Sequence, residues 1–221
     1  MKLLAQAVIK FLLGFGCTWL LLFLPAGGFS YWNAWLLTAI LFIPMFFAGL
    51  VMWKKSPELL KKRLNAREKQ GEQKKVISAS SLIFIAGFVV AGLDFRFGWS
   101  TVPLWLVAAA SVVFLCAYAL YAEVLRENAY LSRTIEVQQD QKVIDTGLYG
   151  LVRHPMYSAV VLLFLSIPLV LGSFLSFLIF LPFPLLLVRR IRNEEEVLAE
   201  GLQGYTDYMQ KVRWRLIPHI W

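Results

Sequence analysis

Histidine and cysteine are nearly missing from this 221-residue chain, which holds two of each. His154 and His219 stand far apart, and Cys17 and Cys116 fall inside apolar runs with no C-x-x-C spacing. That scarcity excludes a histidine-rich metal centre, so no metal is expected, and both cysteines read as small core residues outside any disulfide. Neither G-x-G-x-x-G nor G-x-x-x-x-G-K-[ST] occurs, which removes the Rossmann and Walker phosphate sites. Gly14-Phe-Gly16 lies in an apolar run, where glycine serves helix packing. Charge is sparse too: 16% of residues are charged, against about 25% in soluble domains. No internal repeat is evident, and the loops and tail are too short to build a separate soluble core.

What the chain has in quantity is apolar surface: 59% of residues are hydrophobic and the mean hydropathy is +0.64. Such a composition belongs in lipid. Apolar runs cover 3–24, 31–53, 76–93, 101–125 and 156–188, and each of the first four suits one helix of about 20 residues. The last, as a single helix, would extend roughly 50 Å through a hydrocarbon core of about 30 Å. It is therefore expected to fold back at Gly172-Ser173, with Pro168 kinking the first arm. The architecture this predicts is an all-α integral membrane protein of about six membrane-crossing helices or half-helices, ending in a helical hairpin. The first run resembles a signal peptide but has no convincing small-residue cleavage site, so it is expected to be retained as a span.

Charge placement supports the fold-back. With the amino terminus inside and the last run a hairpin, 21 of the 22 Lys and Arg face one side, nine of them in residues 54–75. Positive residues favour the cytoplasmic face, so both ends and the polar segments are expected in the cytoplasm, most simply at the inner membrane. A net charge of +8 and a pI near 9.6 then point to anionic inner-leaflet lipid as the partner of the 54–75 loop and not to nucleic acid. Two regions follow. Residues 1–125 form a four-helix membrane region with that basic loop. Residues 126–221 carry a cytoplasmic segment, the 156–188 hairpin and a carboxy-terminal helix.

Two polar clusters flank the hairpin. The first is Gly147-Leu-Tyr-Gly-Leu-Val-Arg-His-Pro-Met-Tyr157. Here Pro155 disfavours helix at His154 and can open the next helix itself, which sets His154 at a helix amino terminus where an anion is attracted. Ahead of it, the fourth helix should carry Glu123, Arg126, Glu127 and Asn128 out of the membrane. Residues 133–138 alternate as a short extended piece, and Asp145-Thr-Gly147 reads as a turn. The second cluster is Arg192-Asn-Glu-Glu-Glu-Val-Leu198, in which Asn193 reads as a helix cap with Glu194 to Glu196 in the first turn. Tyr205 and Tyr208, three apart, share a helix face, and Trp214 and Trp221 suit an interface anchor.

Together, G-L-Y-G-L-V-R-H-P-M-Y, the apolar hairpin, E-E-x-V-L over 194–198, Y-x-x-Y and V-R-W-R-L-I-P resemble the isoprenylcysteine carboxyl methyltransferase and phospholipid methyltransferase superfamily. The resemblance covers residues from near Asn128 to the end. It implies a membrane methyltransferase dependent on S-adenosylmethionine, without a Rossmann domain, acting on a lipidic or prenylated acceptor. It nominates Tyr149, His154, Pro155, Tyr157, Glu194, Glu195 and Leu198 for the cofactor. Asn128, Tyr205 and Tyr208 are nominated for the substrate, with Arg153, Glu195 and Arg213 for catalysis. Two departures stand out: Gly147-Leu148-Tyr149 where many members read G-P-Y, and a spacing from E-E-x-x-L to Y-x-x-Y about one residue shorter than in eukaryotic members.

Methyl transfer from a sulfonium needs alignment, exclusion of water and a free lone pair, and positioning supplies most of the gain. Carboxylates suit ribose hydroxyls or the sulfonium, His154 suits the cofactor carboxylate, and an arginine could hold a carboxylate acceptor. An amine acceptor would instead need a base. A lipidic acceptor is expected to enter laterally between the hairpin and the fourth helix. Two rivals stand beside this reading. Sterol-type membrane reductases bind a nicotinamide cofactor at an H-P-x-Y element, but follow it with glycine-glutamate where this chain has Ser158-Ala159. A non-catalytic membrane scaffold is the other.

Overall fold

The computed structural model describes residues 2–65, 71–132, 134–135 and 137–221, without the side chain of Glu72. Residues 66–70 of the basic loop, and Arg133 and Glu136 of the expected extended piece, lie outside the described residues.

The described residues form helices and no strand. In chain order these are α1 (Lys2–Ala26), α2 (Trp32–Lys55), α3 (Pro57–Leu64), α4 (Gly71–Phe97) and α5 (Leu104–Glu127). A 3-10 turn at Gly147–Gly150 follows, then α6 (Pro155–Val170), α7 (Phe174–Phe180), α8 (Phe183–Gly201) and α9 (Tyr205–Lys211). Among them α1, α2, α4, α5 and the α7–α8 stretch are long and apolar enough to cross a membrane, and α6 is a shorter apolar helix. With α6 counted beside those five, the described helices are consistent with about six spans, the number that the apolar runs predict. Helices α1, α2, α4, α5 and α6 show little amphipathic periodicity because each has protein on one side and lipid on the other, and both are apolar. Leu24, Leu104, Trp105 and Leu185 point outward as large exposed side chains, the lipid-facing counterpart of the core.

Between the helices lies one main core, with Leu22, Leu37, Ala91, Phe114, Val170 and Phe180 essentially fully buried. Phe84 of α4 meets Phe164 of α6 and Phe180 of α7 edge-on at centroid distances of 4.5 and 5.2 Å. Such aromatic pairs contribute about 0.5–1.5 kcal/mol each beyond area burial. With no hydrophobic drive between helices in lipid, this close packing is what selects the arrangement.

The long run does fold back. α6 ends at Val170, Gly172 turns the chain in the left-handed region at φ +76°, and Ser173 caps α7 by accepting from the Ser176 amide at 3.0 Å. At this tip a polar clasp sits on buried Asp94, which accepts from the Ser100 amide at 2.6 Å, the Ser100 hydroxyl at 2.5 Å and the Ser173 hydroxyl. The Tyr31 hydroxyl donates to the Leu171 carbonyl at 2.6 Å and the Asn33 amide to Val170 at 2.8 Å. These bonds satisfy carbonyls that the helix end leaves open. Pro168 lies inside α6, close to its end.

Three local expectations change. The basic loop contains a helix, α3, begun by Pro57 and packed back on the bundle through buried Leu60. Cys17 and Cys116, expected in the core, are exposed on the outer faces of α1 and α5. Asn193 does not cap a helix: α8 runs unbroken from Phe183 to Gly201, so Glu194 to Glu196 sit mid-helix. The last apolar turns, from Phe183, and the acidic segment are one continuous helix, which carries the carboxylates to a defined depth beside α6.

Candidate functional site

Pro155 is the first residue of α6 and His154 its cap, so the polar segment meets the helix at a fixed angle. The carboxy-terminal stretch of chain pairs with that segment: the Arg153 amide donates to the Trp214 carbonyl at 2.8 Å and the His154 amide to Arg215 at 2.9 Å. Buried Glu195 on α8 ties all three pieces together. Its Oε1 accepts from Arg153 Nε at 2.7 Å and lies 3.2 Å from His154 Nε2, while Oε2 accepts from Arg215 Nε at 2.8 Å. Arg153 Nη1 donates further to the carbonyls of Val212 and Arg213, at 2.7 and 3.0 Å. The buried charges in this knot are paired and hydrogen-bonded, as their removal from water requires.

One residue earlier on α8, Glu194 faces a different space. Its Oε2 accepts from the Tyr157 hydroxyl at 2.5 Å, and that hydroxyl accepts from Arg190 Nε at 2.9 Å. Arg190 Nη1 donates to Gln73 Oε1 at 2.9 Å, and Gln73, buried on α4, donates to Asn193 Oδ1 at 2.5 Å. Residues 190 and 194 lie one turn apart, so one face of α8 presents both to Tyr157 of α6.

The space is a cleft. His154, Tyr157, Arg190, Glu194 and Leu198 line it together with Asn128, Tyr149, Tyr205 and Tyr208, and Tyr130 to Ser132, Thr134, Ile135 and Gln141 to Ile144 complete the lining. Asn128, the cap of α5, donates to the Tyr149 hydroxyl at 2.9 Å, and the Tyr208 hydroxyl donates to the Tyr149 carbonyl at 2.8 Å. Gly147, at φ +50°, lets the Glu127 carboxylate come close enough to accept from the Leu148 amide at 3.2 Å. Burial pushes the Tyr149, Tyr205 and Tyr208 hydroxyls above their ordinary range, and at Tyr205 the charges of Glu194 and Glu195 add to it. All three stay protonated. The Tyr205 hydroxyl is buried with no hydrogen-bond partner among the described residues. A buried unmatched hydroxyl costs about 1–3 kcal/mol, and one that lines a cleft is a place for a ligand atom.

The structure thus gathers Asn128, Tyr149, Arg153, His154, Tyr157, Glu194, Leu198, Tyr205 and Tyr208 around one cleft. Glu195 and Pro155 lie behind its wall, where Glu195 holds the knot and Pro155 starts the helix. Arg213 does not reach the cleft: its side chain is exposed and only its carbonyl takes part, under Arg153. Sequence reasoning missed Arg190 and Gln73. The pairing of Arg190 with Glu194 at i, i+4 was a visible signal, but Gln73 comes from the other half of the chain and leaves none.

The isoprenylcysteine carboxyl methyltransferase (ICMT) family model matches residues 106–200. Among curated proteins, a delta(14)-sterol reductase of Methylotuvimicrobium alcaliphilum is 24% identical over 134 residues, covering 54% of this chain and 31% of that protein. A delta(14)-sterol reductase of Mus musculus is 31% identical over 91 residues, covering 40% of this chain and 22% of that protein. The chain therefore spans a third or less of these curated relatives. Among solved structures, a eukaryotic intramembrane Ras methyltransferase, ICMT, superposes with a TM-score of 0.50 at 17% identity, over 85% of this chain and 75% of that one. That likeness is one of fold.

Proposed function

We propose that this integral membrane protein, whose residues 106–200 match the isoprenylcysteine carboxyl methyltransferase family model, transfers a methyl group from S-adenosylmethionine to a lipidic acceptor, in the manner of a carboxyl O-methyltransferase. One observation carries the reading: a buried tyrosine hydroxyl without a partner among the described residues, a carboxylate and a second tyrosine ring converge on a cleft where the motif residues meet. The donor set fits the cofactor. Glu194, held by Tyr157 through one oxygen, accepts from ribose hydroxyls. The Tyr205 hydroxyl donates to a polar atom of the ligand, and the Asn128–Tyr149–Tyr208 side closes over the rest. Bound there, the cofactor would supply a sulfonium methyl for in-line attack by an acceptor lone pair, with S-adenosylhomocysteine as the leaving group.

The chain's own residues supply position. Glu195, Arg153, His154 and Arg215 fix the wall that carries Tyr157, so a methyl donor and its acceptor meet within a near-attack distance. A carboxylate acceptor needs no base, because its lone pair is already free. Arg190, fixed by Tyr157 and Gln73, is the cation placed to hold it. An amine acceptor would turn the same site into a phospholipid N-methyltransferase, with Glu194 as base. The cleft is assigned to the cytoplasmic face, because the basic residues gather at that end of the helices.

Calorimetry on the purified protein with S-adenosylhomocysteine tests this. Binding is expected; Glu194→Ala should weaken it by about tenfold or more, the loss of one charge-assisted hydrogen bond, and His154→Ala should weaken it by loosening the wall that carries Tyr157. The matches to sterol reductases make NADPH the control. Binding of NADPH without S-adenosylhomocysteine overturns the methyltransferase reading in favour of a reductase, and binding of neither leaves a scaffold.

A further inference from the structure

Gln73, in the first turn of α4, is 1% exposed, although it opens the stretch of that helix, Gln73–Phe97, that is long and apolar enough to cross a membrane. An amide removed from water there is costly unless both its ends are bonded. Here both are: Gln73 Oε1 accepts from Arg190 Nη1 at 2.9 Å, and Nε2 donates to Asn193 Oδ1 at 2.5 Å. Gln73 lies outside the family-matched residues 106–200, and it reaches them because α4 packs against α8.

Arg190 and Asn193 share one face of α8, so a single amide grips that helix at two points of the same turn. Residue 195 lies about 200° round the helix from residue 193, and there Glu195 is gripped by Arg153, His154 and Arg215. Held on nearly opposite faces, α8 has one rotation, and Glu194 falls between the two grips. The donors also fix direction. A guanidinium only donates, so the Gln73 carbonyl must face Arg190 and its amide must face Asn193. Arg190 Nε takes a lone pair of the Tyr157 hydroxyl at 2.9 Å, which leaves that hydroxyl's single proton for Glu194 Oε2 at 2.5 Å. Arg190 makes further contacts, and the grip at Asn193 is independent of them.

We propose that Gln73 is a positioning residue for the cleft. By holding Arg190 and Asn193 it sets the rotation of α8 and the line from Arg190 through Tyr157 to Glu194, so that the Glu194 carboxylate meets the ligand as an acceptor with Oε2 already committed to Tyr157. Gln73 itself does not line the cleft. The amino-terminal half of the chain thus acts on the ligand through α8. The cofactor rests on the methyltransferase reading, whereas the coupling of Gln73 to Glu194 holds for any ligand that Glu194 meets.

The test is a double-mutant cycle on the full chain in nanodiscs, with S-adenosylhomocysteine affinity read by calorimetry. Gln73→Leu is expected to weaken binding by about fivefold, the size of a coupling through one shared network. Gln73→Glu still accepts from Arg190 and should keep most of the affinity. In a Glu194→Ala background Gln73→Leu should cost nothing further, because the group it positions is gone. Asn193→Ala, at a half-buried site where alanine favours the helix, should give a smaller loss of the same pattern, and it stands in for Gln73→Leu if that variant does not fold. Wild-type affinity in Gln73→Leu, or an equal loss with and without Glu194, overturns the proposal, the second result being that of a general packing role. NADPH separates the two ideas. If wild type binds NADPH and not S-adenosylhomocysteine, the methyltransferase reading falls and the same cycle, run with NADPH, decides the role of Gln73. Binding of neither overturns both.

Discussion

Glu194 and Glu195 are adjacent, alike and differently employed. A rotation of about 100° per residue along the helix turns Glu195 into the knot with Arg153, His154 and Arg215, and Glu194 towards Tyr157 and the cleft. Their substitutions should separate accordingly. Glu195→Gln leaves two buried or half-buried arginines short of a counter-charge and should cost about 3 kcal/mol, read as a lowered melting temperature in detergent. Glu194→Gln should leave melting nearly unchanged and act on ligand binding. Tyr205 makes a sharper case, because its hydroxyl has no hydrogen bond to lose among the described residues. Tyr205→Phe should therefore melt no lower than wild type, while S-adenosylhomocysteine binding weakens about tenfold. A Tyr205→Phe protein that melts lower and binds normally would show that the hydroxyl serves packing.

The elements that position these residues are the hairpin and the rod behind it. The apolar run, its length and the Gly172-Ser173 break make the fold-back legible from local pattern alone, since a span of that length has no other way to fit a bilayer. The clasp that holds the tip is not legible in the same way. Asp94, Ser100, Tyr31 and Asn33 come from separate segments, and each alone reads as a polar residue near a span end. Gly172→Ala tests the turn. A Cβ at φ +76° costs about 1–2 kcal/mol and would also press on Asn33, so a modest fall in melting temperature is expected. Binding at the cleft, at the other end of α6, should persist. The misread element, α8, shows the limit of local rules. Asn193 followed by three glutamates is a good cap signal, but the preceding apolar turns were already helical, and tertiary packing against α4 and α6 carried the helix through it.

At the scale of the whole molecule the two polar ends have different tasks: the Asp94 clasp closes one end, and the cleft, α3 and the basic residues occupy the other. The orientation can be read by labelling single cysteines in a Cys17→Ala, Cys116→Ala background. Trp99→Cys should react with a membrane-impermeant maleimide in intact cells, and Lys211→Cys only after the membrane is opened. Both original positions are exposed on helices α1 and α5, so their removal leaves the core intact. Labelling of both sites in intact cells would refute the arrangement.

The sequence by itself determined the solvent, the spans, the hairpin and the polar motifs, because hydropathy, length and charge sign act locally and a bilayer reads them directly. Only the tertiary structure decided which side chain of each motif faces the cleft. It set Glu194 against Tyr157, locked Glu195 behind the wall, left Arg213 outside, and brought Gln73 from the amino-terminal half to Arg190 at the site. Those choices depend on helix rotation and on contacts between segments distant in sequence, where the closeness of packing, and no local pattern, selects the partner.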